Sequence, residues 1–336
     1  MTGAALARPG APSWLAPVLG VGALVLAFAW HISVGAKTVP LATVFEALLA
    51  YDGENFDHVV VVDLRLPRAI CAVLVGASLS VAGALMQGVT RNPLAEPGIL
   101  GLLIGASFSV VVLVGFLDLV PPVFIPLAAA LGALGAAVAV WGIATLAPGG
   151  ATPLTLVLAG AAITAFLGAL VSIVNLLDEQ TFQEMRVWLT GSLAGRQTET
   201  LPWALPWLAL GLGIAMAVAR QVTALALGDE AAVGLGMKVG RLKALILVAV
   251  IALTAGAVAL AGPMAFVGLV VPHGVRLFVG QDYRRVVPWS AVGGAAYLLV
   301  VDIAARLALA PIEISTGLVT ALLGAPIFVW LVRARL

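Results

Sequence analysis

The side chains that could carry out chemistry are few, and their spacing excludes two common kinds of active site. The chain has three histidines, at positions 31, 58 and 273, and no HExxH motif, so nothing supports the zinc site of a metalloprotease. Its three lysines stand at positions 37, 238 and 243, and none follows a glycine. A P-loop needs a lysine directly after a glycine-rich turn, because that lysine must reach the phosphates of the nucleotide. If ATP drives this protein, a different chain must bind it.

The acidic residues near the apolar stretches argue against two further functions. All of them fall near the predicted ends of these stretches: Glu96, Asp118, Asp302 and Glu313. A proton- or sodium-coupled carrier usually holds such groups in the middle of the membrane. An intramembrane hydrolase would need a paired Asp or a Ser and His constellation at matching depth, and the sequence supplies neither. The single cysteine, Cys71, cannot form a disulfide within the chain.

The composition defines the class of protein that must position these groups. Of 336 residues, 62% are hydrophobic and 10% are charged, far below the roughly 25% charged residues of a soluble domain. The apolar runs repeatedly exceed the roughly 18 to 20 residues that a helix needs to cross a bilayer, and they lack the short alternation of β-barrel strands. A net charge of +1 gives no reason to expect nucleic acid as a partner. The sequence therefore predicts an all-α polytopic membrane protein.

Ten apolar runs separated by polar, Pro or Gly breaks predict ten transmembrane helices in a single domain over residues 1–336. Their predicted bounds are 14–33, 67–88, 94–116, 120–146, 154–176, 202–219, 242–262, 265–280, 288–309 and 315–332. SLSVAGALMQG (78–88) and TAGAVALAGPM (254–264) have similar small-residue spacing on spans of opposite direction. This pattern predicts an inverted repeat, although such patterns recur in any packed membrane bundle.

The distribution of basic residues orients the chain. An even number of spans puts both termini on one side, and with that side cytoplasmic, eleven of the seventeen basic residues lie inside and six outside. The inner residues are Arg8, Arg91, Arg220, Lys238, Arg241, Lys243, Arg276, Arg284, Arg285, Arg333 and Arg335. The outer residues are Lys37, Arg65, Arg68, Arg186, Arg196 and Arg306. We therefore expect a short cytoplasmic N-terminus, residues 1–13, and a cytoplasmic C-terminus.

Two polar segments on the inner side interrupt this pattern. The loop 220–243 contains LGDEAAVGLG (227–236), with acids at its start and glycine at its end, as a short helix prefers. Joined by glycines to its flanking spans, such a helix can move as a lever under a docked partner; the alternative is an ordinary solvated loop. QGVTRNPLAEPG (87–98) carries two prolines between apolar runs, and non-helical backbone there must line a cavity or pack in protein. The alternative is a tight turn that only ends a helix.

Four segments together resemble one family of permeases. They are RLPRAICAVLVGASLSVAGALMQGVTRNPLAEPGILG (65–101), ALGDEAAVGLGMKVGRLK (226–243), AGPMAFVGLVVPHGVRLFVGQDYRR (261–285) and DIAARLALAPIEISTGLVTALLGAPIFVWL (302–331). They are similar to the membrane subunits of bacterial type II ABC importers for ferric siderophores, haem and vitamin B12. The resemblance runs from about residue 60 to the C-terminus.

The resemblance implies a complete machine in the bacterial cytoplasmic (inner) membrane. It implies ten spans per subunit, a second permease subunit that is either identical or a paralogue, and two cytoplasmic ATPase subunits that bind ATP and Mg. It also implies an external substrate-binding protein, periplasmic or lipid-anchored. On this reading the chain itself carries no catalytic residues, metal or cofactor, contacts membrane lipid and has no nucleic-acid partner.

In this family, arginines of the RLPR motif and one at the outer end of the ninth span grip acidic residues of the binding protein. The resemblance places them at Arg65, Arg68 and Arg306, and a guanidinium suits a carboxylate because it binds through two parallel hydrogen bonds. The alternative is that Arg65 and Arg68 extend to the membrane interface and that Arg306 pairs with Asp302 one turn earlier.

The resemblance also assigns residues on the inner side. The residues implied to face the ATPase are Leu227, Gly228, Asp229, Glu230, Ala231, Ala232, Gly234, Leu235 and Gly236. Those implied to narrow the inner mouth of the pathway are Asn92 and Leu94. A second gate element aligns with Pro153 and Leu154, with Thr152 and Thr155 beside them. At the two aligned positions the sequence departs from the small hydroxyl residues of the family.

The leading hypothesis is therefore a permease that imports a bulky metal chelate, with a ferric siderophore ahead of haem and cobalamin. A secondary transporter that works alone and is driven by an ion gradient is the alternative from a different class. An ATPase with a P-loop and a binding protein encoded next to this chain would favour the importer, and their absence would favour the carrier.

Overall fold

The computed structural model describes residues 15–35, 37–116, 121–148, 150, 152–177, 185–194, 197–310 and 312–333. The predicted N-terminal segment 1–13, the carboxylate Asp118 and the side chains of Arg8, Arg196 and Arg335 lie outside the described residues. Helices account for most of the described residues, which contain no β-strand. The all-α class is therefore confirmed.

The helices follow the apolar runs of the sequence. In chain order they are α1 (Leu15–Ser33), α2 (Leu41–Leu49), α3 (Phe56–Val59), α4 (Leu66–Thr90), α5 (Leu102–Phe116), α6 (Phe124–Leu146), α7 (Pro153–Leu177), α8 (185–189), α9 (Gln197–Leu225), α10 (Asp229–Gly234), α11 (Val239–Ala261), α12 (Val267–Val279), α13 (Tyr283–Leu307) and α14 (Thr316–Arg333). One π-helical turn, Val60–Arg65, joins α3 to α4, so that a single helix runs from residue 56 to residue 90.

Ten of these helices occupy the positions of the ten predicted spans. Six described helices are long and apolar enough to cross a membrane: Phe56–Thr90, Phe124–Leu146, Leu154–Val174, Thr198–Leu225, Val239–Ala261 and Tyr283–Leu307. The other four positions hold shorter apolar helices: Val18–Ser33, Leu102–Gly115, Val267–Val279 and Thr316–Trp330. A polytopic membrane protein is confirmed, while the count of ten complete spans stays a prediction, because the shorter helices do not reach roughly 20 residues.

Two predicted boundaries were wrong. The second span was predicted to begin at residue 67, but its helix begins at residue 56, well before the apolar run. The third span was predicted from residue 94, but α5 begins at Leu102. Pro93 and Pro97 have no amide hydrogen to donate and restrict the preceding residue, so the chain from 91 to 101 runs without regular helix.

Helices α4 and α11 form the centre of the bundle. Most side chains of both are buried; α4 packs against α9, α11, α12 and α13, and α11 also packs against α5, α6 and α9. Small residues let the backbones approach closely. A Cβ atom placed on Gly83 of α4 would lie 1.9 Å from the carbonyl oxygen of Gly268 in α12, so only glycine fits there.

We predict that Gly83→Ala lowers the free energy of unfolding by about 1–3 kcal/mol, because α4 and α12 must separate to admit the methyl group. The matched control is Gly135→Ala in α6, where no atom lies within 4 Å of the added Cβ. Denaturant unfolding of the detergent-solubilised protein measures both. Equal stability of the two variants would mean that α4 and α12 do not pack this closely.

Candidate functional site

The outer site is built around the C-terminus of α1, whose last carbonyls have no partner within the helix. Arg65, the last residue of the π-helical turn, is buried and donates from Nη1 to the carbonyl oxygens of Ile32 (2.7 Å) and Ser33 (2.8 Å). Its Nη2 donates to the carbonyl of Lys37. A cation at a helix C-terminus is also favoured by the helix dipole. Arg65 therefore fixes the end of α1 to the start of α4.

Arg306, in the last turn of α13, binds the same helix end. Its Nη2 donates to the carbonyl of His31 (3.0 Å) and its Nη1 to the carbonyl of Val34 (2.9 Å). Its Nε lies 3.3 Å from a carboxylate oxygen of Asp302, one turn earlier. The Arg306–Asp302 pair that the sequence analysis left open as an alternative is present, and the side chain is buried.

Arg68 joins a buried carboxylate to an exposed one. Its Nε and Nη2 donate to the two oxygens of Asp302, at 2.8 and 3.0 Å, in a bidentate pair. Its Nη1 donates to Oε2 of Glu313 at 2.8 Å. The side chain of Asp302 is fully buried, whereas that of Glu313 is 43% exposed.

Asp302 is the residue to which these contacts converge, and the sequence analysis did not identify its role. Besides the two arginines, the carboxylate accepts a hydrogen bond from Oγ1 of Thr316 (2.6 Å) and lies 2.8 Å from Nε2 of His31. His31 belongs to α1, 271 positions away in the sequence, and Thr316 begins α14, the helix that follows α13. Two sequence signals were available: an acid in a predicted span, which is costly unless it is paired, and an arginine, Arg306, one helical turn later.

The three predicted docking arginines line one cavity of about 350 Å³ at this end of the bundle. Two acids, Asp63 and Glu313, share the cavity wall. Asp63 accepts a hydrogen bond from the hydroxyl of Tyr51 (3.1 Å), and this bond raises the pKa of Tyr51. The remaining lining residues are Gly35, Val60, Leu64, Pro67, Leu193, Ala194 and Thr198. The cavity wall therefore combines three arginines with two acids.

The inner side holds the predicted lever. Helix α10, Asp229–Gly234, lies inside the predicted segment 227–236, and Gly228 and Gly236 flank it with φ of 131° and 78°. Such positive φ values favour glycine. Most of the residues implied to face the ATPase are exposed, Leu227 and Leu235 strongly so. Ala232 is buried, and Gly228 and Asp229 are half-buried.

Asp229 connects α10 to two neighbouring elements. Its carboxylate lies 2.6 Å from Nζ of Lys243 at the start of α11 and 3.7 Å from Nη2 of Arg91. Arg91 ends α4 in a left-handed conformation (φ 52°) and begins the segment predicted to gate the pathway. The lever and the gate segment are therefore in electrostatic contact, which the sequence analysis did not predict.

The gate segment, residues 87–98, is held by a local turn and by one contact to a distant residue. Asn92 accepts at Oδ1 from the backbone amide of Leu94 (3.0 Å), and both residues are half-buried. The buried carboxylate of Glu96 accepts from the backbone amide of Phe266 (2.9 Å), the residue that precedes α12. The segment is thus packed in protein, as its non-helical backbone requires.

The second predicted gate element forms the start of α7. The hydroxyl of Thr152 accepts from the amide of Thr155 (3.2 Å), and the hydroxyl of Thr155 accepts from the amide of Thr152 (2.8 Å). The two hydroxyls thus satisfy backbone amides at the helix start. Proline is favourable at the first helical position, because the amide hydrogen that it lacks would have no partner within the helix. Leu154 is exposed. Helix capping alone accounts for both threonines.

Within the described ranges, no group of three His, Cys, Asp or Glu side chains is placed to hold a metal ion. The arrangement instead offers an arginine-lined cavity at one end of the bundle and an exposed short helix at the other. These two features join elements that are distant in the sequence and belong to one membrane-spanning bundle. The fold and the two sites define a polytopic helical membrane protein.

Comparisons with known proteins identify the family. Residues 23–334 match the FecCD transport family. The chain is 41% identical over 316 residues to the iron(3+)-hydroxamate import system permease protein FhuB of Bacillus subtilis, covering 94% of this chain and 82% of that protein. It is 39% identical over 305 residues to the cobalamin import system permease protein BtuC of Halobacterium salinarum, covering 90% and 81%.

A solved structure shows the same fold. It is described as an inward-facing conformation of a metal-chelate type ABC transporter, and it superimposes with a TM-score of 0.79 at 28% identity over 95% of this chain and 99% of that one. The chain therefore belongs to the FecCD transport family. The type II importer permease fold inferred from the four sequence segments is confirmed.

We predict that Asp302→Asn lowers the free energy of unfolding by about 3–5 kcal/mol, because the half-buried Arg68 and the buried Arg306 lose their common counter-ion. Thermal unfolding in detergent measures the change. Asp57→Asn is the control, because its partner Lys37 is largely exposed and the pair should contribute less than about 1 kcal/mol. Similar losses in both variants would contradict a central role for Asp302.

Proposed function

We propose that this chain is the membrane subunit of an ATP-driven importer for a bulky metal chelate, with a ferric siderophore as the leading substrate and haem or cobalamin as alternatives. Its relatives support this substrate class, since one is named for iron(3+)-hydroxamate import and another for cobalamin import. The observation that carries the proposal is helix α10 with its flanking residues, where the exposed apolar side chains of Leu227 and Leu235 lie beside charged ones. Such a surface suits a docked protein.

The proposal includes the partners that this function needs. Two cytoplasmic ATPase subunits would bind ATP and Mg and press on α10. A second permease subunit, identical or a paralogue, would complete the pathway, and a periplasmic or lipid-anchored binding protein would dock at the arginine-lined cavity. The assembly would lie in the bacterial cytoplasmic membrane with both termini of this chain inside.

The contacts of Asp229 provide a route from the ATPase to the inner mouth. When the ATPase pair closes, it would displace α10, and Asp229 would carry that displacement to Arg91 and the gate residues Asn92 and Leu94. Both ion pairs of Asp229 are partly exposed, so they can break and re-form at low cost.

The carboxylates of the described chain give little support to the alternative, a secondary transporter. Asp302 is neutralised by Arg68 and Arg306, and Glu96 is occupied by a backbone amide. An ion-coupled carrier needs acids that can release their partners and bind the ion. These two buried acids instead hold helices together.

Reconstitution in proteoliposomes tests the function. We expect this chain, together with the ATPase and binding protein encoded beside it, to take up ferric siderophore only when ATP is supplied. Haem and cobalamin, assayed in parallel, decide the substrate. Replacing ATP by a non-hydrolysable analogue is the control. Uptake by this chain alone, driven by an ion gradient, would refute the proposal.

We predict that Asp229→Asn uncouples the machine, because α10 loses its electrostatic link to Arg91 and Lys243. Uptake in proteoliposomes should fall several-fold while ATP hydrolysis by the assembled complex continues. Asp229→Glu keeps the charge and should restore most of the uptake. A parallel loss of uptake and hydrolysis would indicate a docking or folding defect, and the coupling role would then be wrong.

A further inference from the structure

The three arginines that line the outer cavity differ in how readily they can exchange their partners. Arg65 and Arg306 direct their guanidinium groups at backbone carbonyls around the end of α1, and both are buried. If Arg65 turned outward to grip another protein, the carbonyls of Ile32 and Lys37 would lose the guanidinium as donor. If Arg306 did so, the carbonyls of His31 and Val34 would lose theirs. A buried polar group without a partner is costly. These two arginines are therefore poorly suited to exchange partners.

Arg68 is different, because its two carboxylate partners lie in different environments. The edge formed by Nε and Nη2 faces Asp302, whose side chain is 0% exposed. The remaining nitrogen, Nη1, faces Glu313, whose side chain is 43% exposed. Arg68 can thus keep its buried counter-ion while it exchanges the exposed one.

The backbone around Glu313 is fixed, so the exchange needs only a side-chain rotation. The amide of Ile314 donates to the carbonyl of Ala305 (3.1 Å), and a single bridge pairs Leu309 with Ile312. Glu313 itself stands between α13 and α14, on the wall of the cavity. An exposed ion pair of this kind contributes little stability, because water solvates both groups when they separate.

We infer that Glu313 is an internal stand-in for a carboxylate of the binding protein: it occupies Nη1 of Arg68 in the free permease and is displaced on docking. The inference rests on the proposed function, and it adds a residue of this chain that weakens docking. A carboxylate that reached Arg68 while Glu313 was in place would meet a like charge within the same cavity. If the incoming carboxylate displaces Glu313, Arg68 has a carboxylate partner both before and after docking. Glu313 can then take the place of that carboxylate again when the binding protein is released.

The test uses the assembled transporter and the binding protein encoded beside it, purified without chelate so that only protein carboxylates are available. Glu313→Gln keeps the side-chain size and a hydrogen-bond acceptor for Arg68 but removes the competing charge. We expect roughly three- to tenfold tighter docking in equilibrium binding at low salt. The gain should shrink as ionic strength rises, because the side chain of Glu313 is 43% exposed and salt screens its charge.

Glu54→Gln is the matched control, since it removes the same charge from an exposed site on the predicted outer segment, away from the cavity lining. It should leave the affinity unchanged. If the unmodified transporter docks and Glu313→Gln docks equally or more weakly, the stand-in role is wrong while the importer function remains. If the unmodified transporter does not bind the protein at any concentration, the docking function and the stand-in role both fail.

Discussion

In a chain that is only 10% charged, the buried carboxylate of Asp302 is the constraint on which the outer end of the molecule depends. An isolated charge in such surroundings would be prohibitively unfavourable, so it must collect partners that neutralise it. Arg68 and Arg306 supply the positive charge from α4 and α13, and His31 of α1 adds a hydrogen-bonding contact. One carboxylate thus fixes the relative positions of three helices.

The arginines then extend this arrangement outward. Arg65 and Arg306 donate hydrogen bonds to carbonyls at the end of α1, so guanidinium groups rather than water satisfy these carbonyls. The same groups form the wall of the outer cavity. Stability and recognition therefore use the same side chains, and only the outward edge of Arg68 is held by a residue that water can reach.

The inner end follows a different design. Helix α10 is six residues long, is flanked by glycines at positive φ and contacts its neighbours largely through exposed ion pairs. These contacts are weak individually. In the proposed importer, the ATPase would act on the weakly held α10, while the arginine-lined cavity would stay preformed for the binding protein.

The sequence predicted the helices well because a long apolar run in lipid must satisfy its backbone hydrogen bonds within itself, and an α-helix does so. It also located α10, since acids and glycines mark a short helix. It placed the start of α5 too early because hydropathy does not register how Pro93 and Pro97 break a helix. It could not reveal the contact of His31 with Asp302, which joins residues 271 positions apart.

The central claim is that the outer charge network is a fixed scaffold in which one contact exchanges. A structure of the complete transporter with its binding protein docked, resolved well enough to place side chains, tests it directly. The account predicts that Arg65 and Arg306 keep the carbonyls of α1, that Arg68 keeps Asp302, and that Glu313 has turned away from Arg68 in favour of a carboxylate of the binding protein. Arg65 or Arg306 turned outward, or Asp302 separated from Arg68, would contradict it.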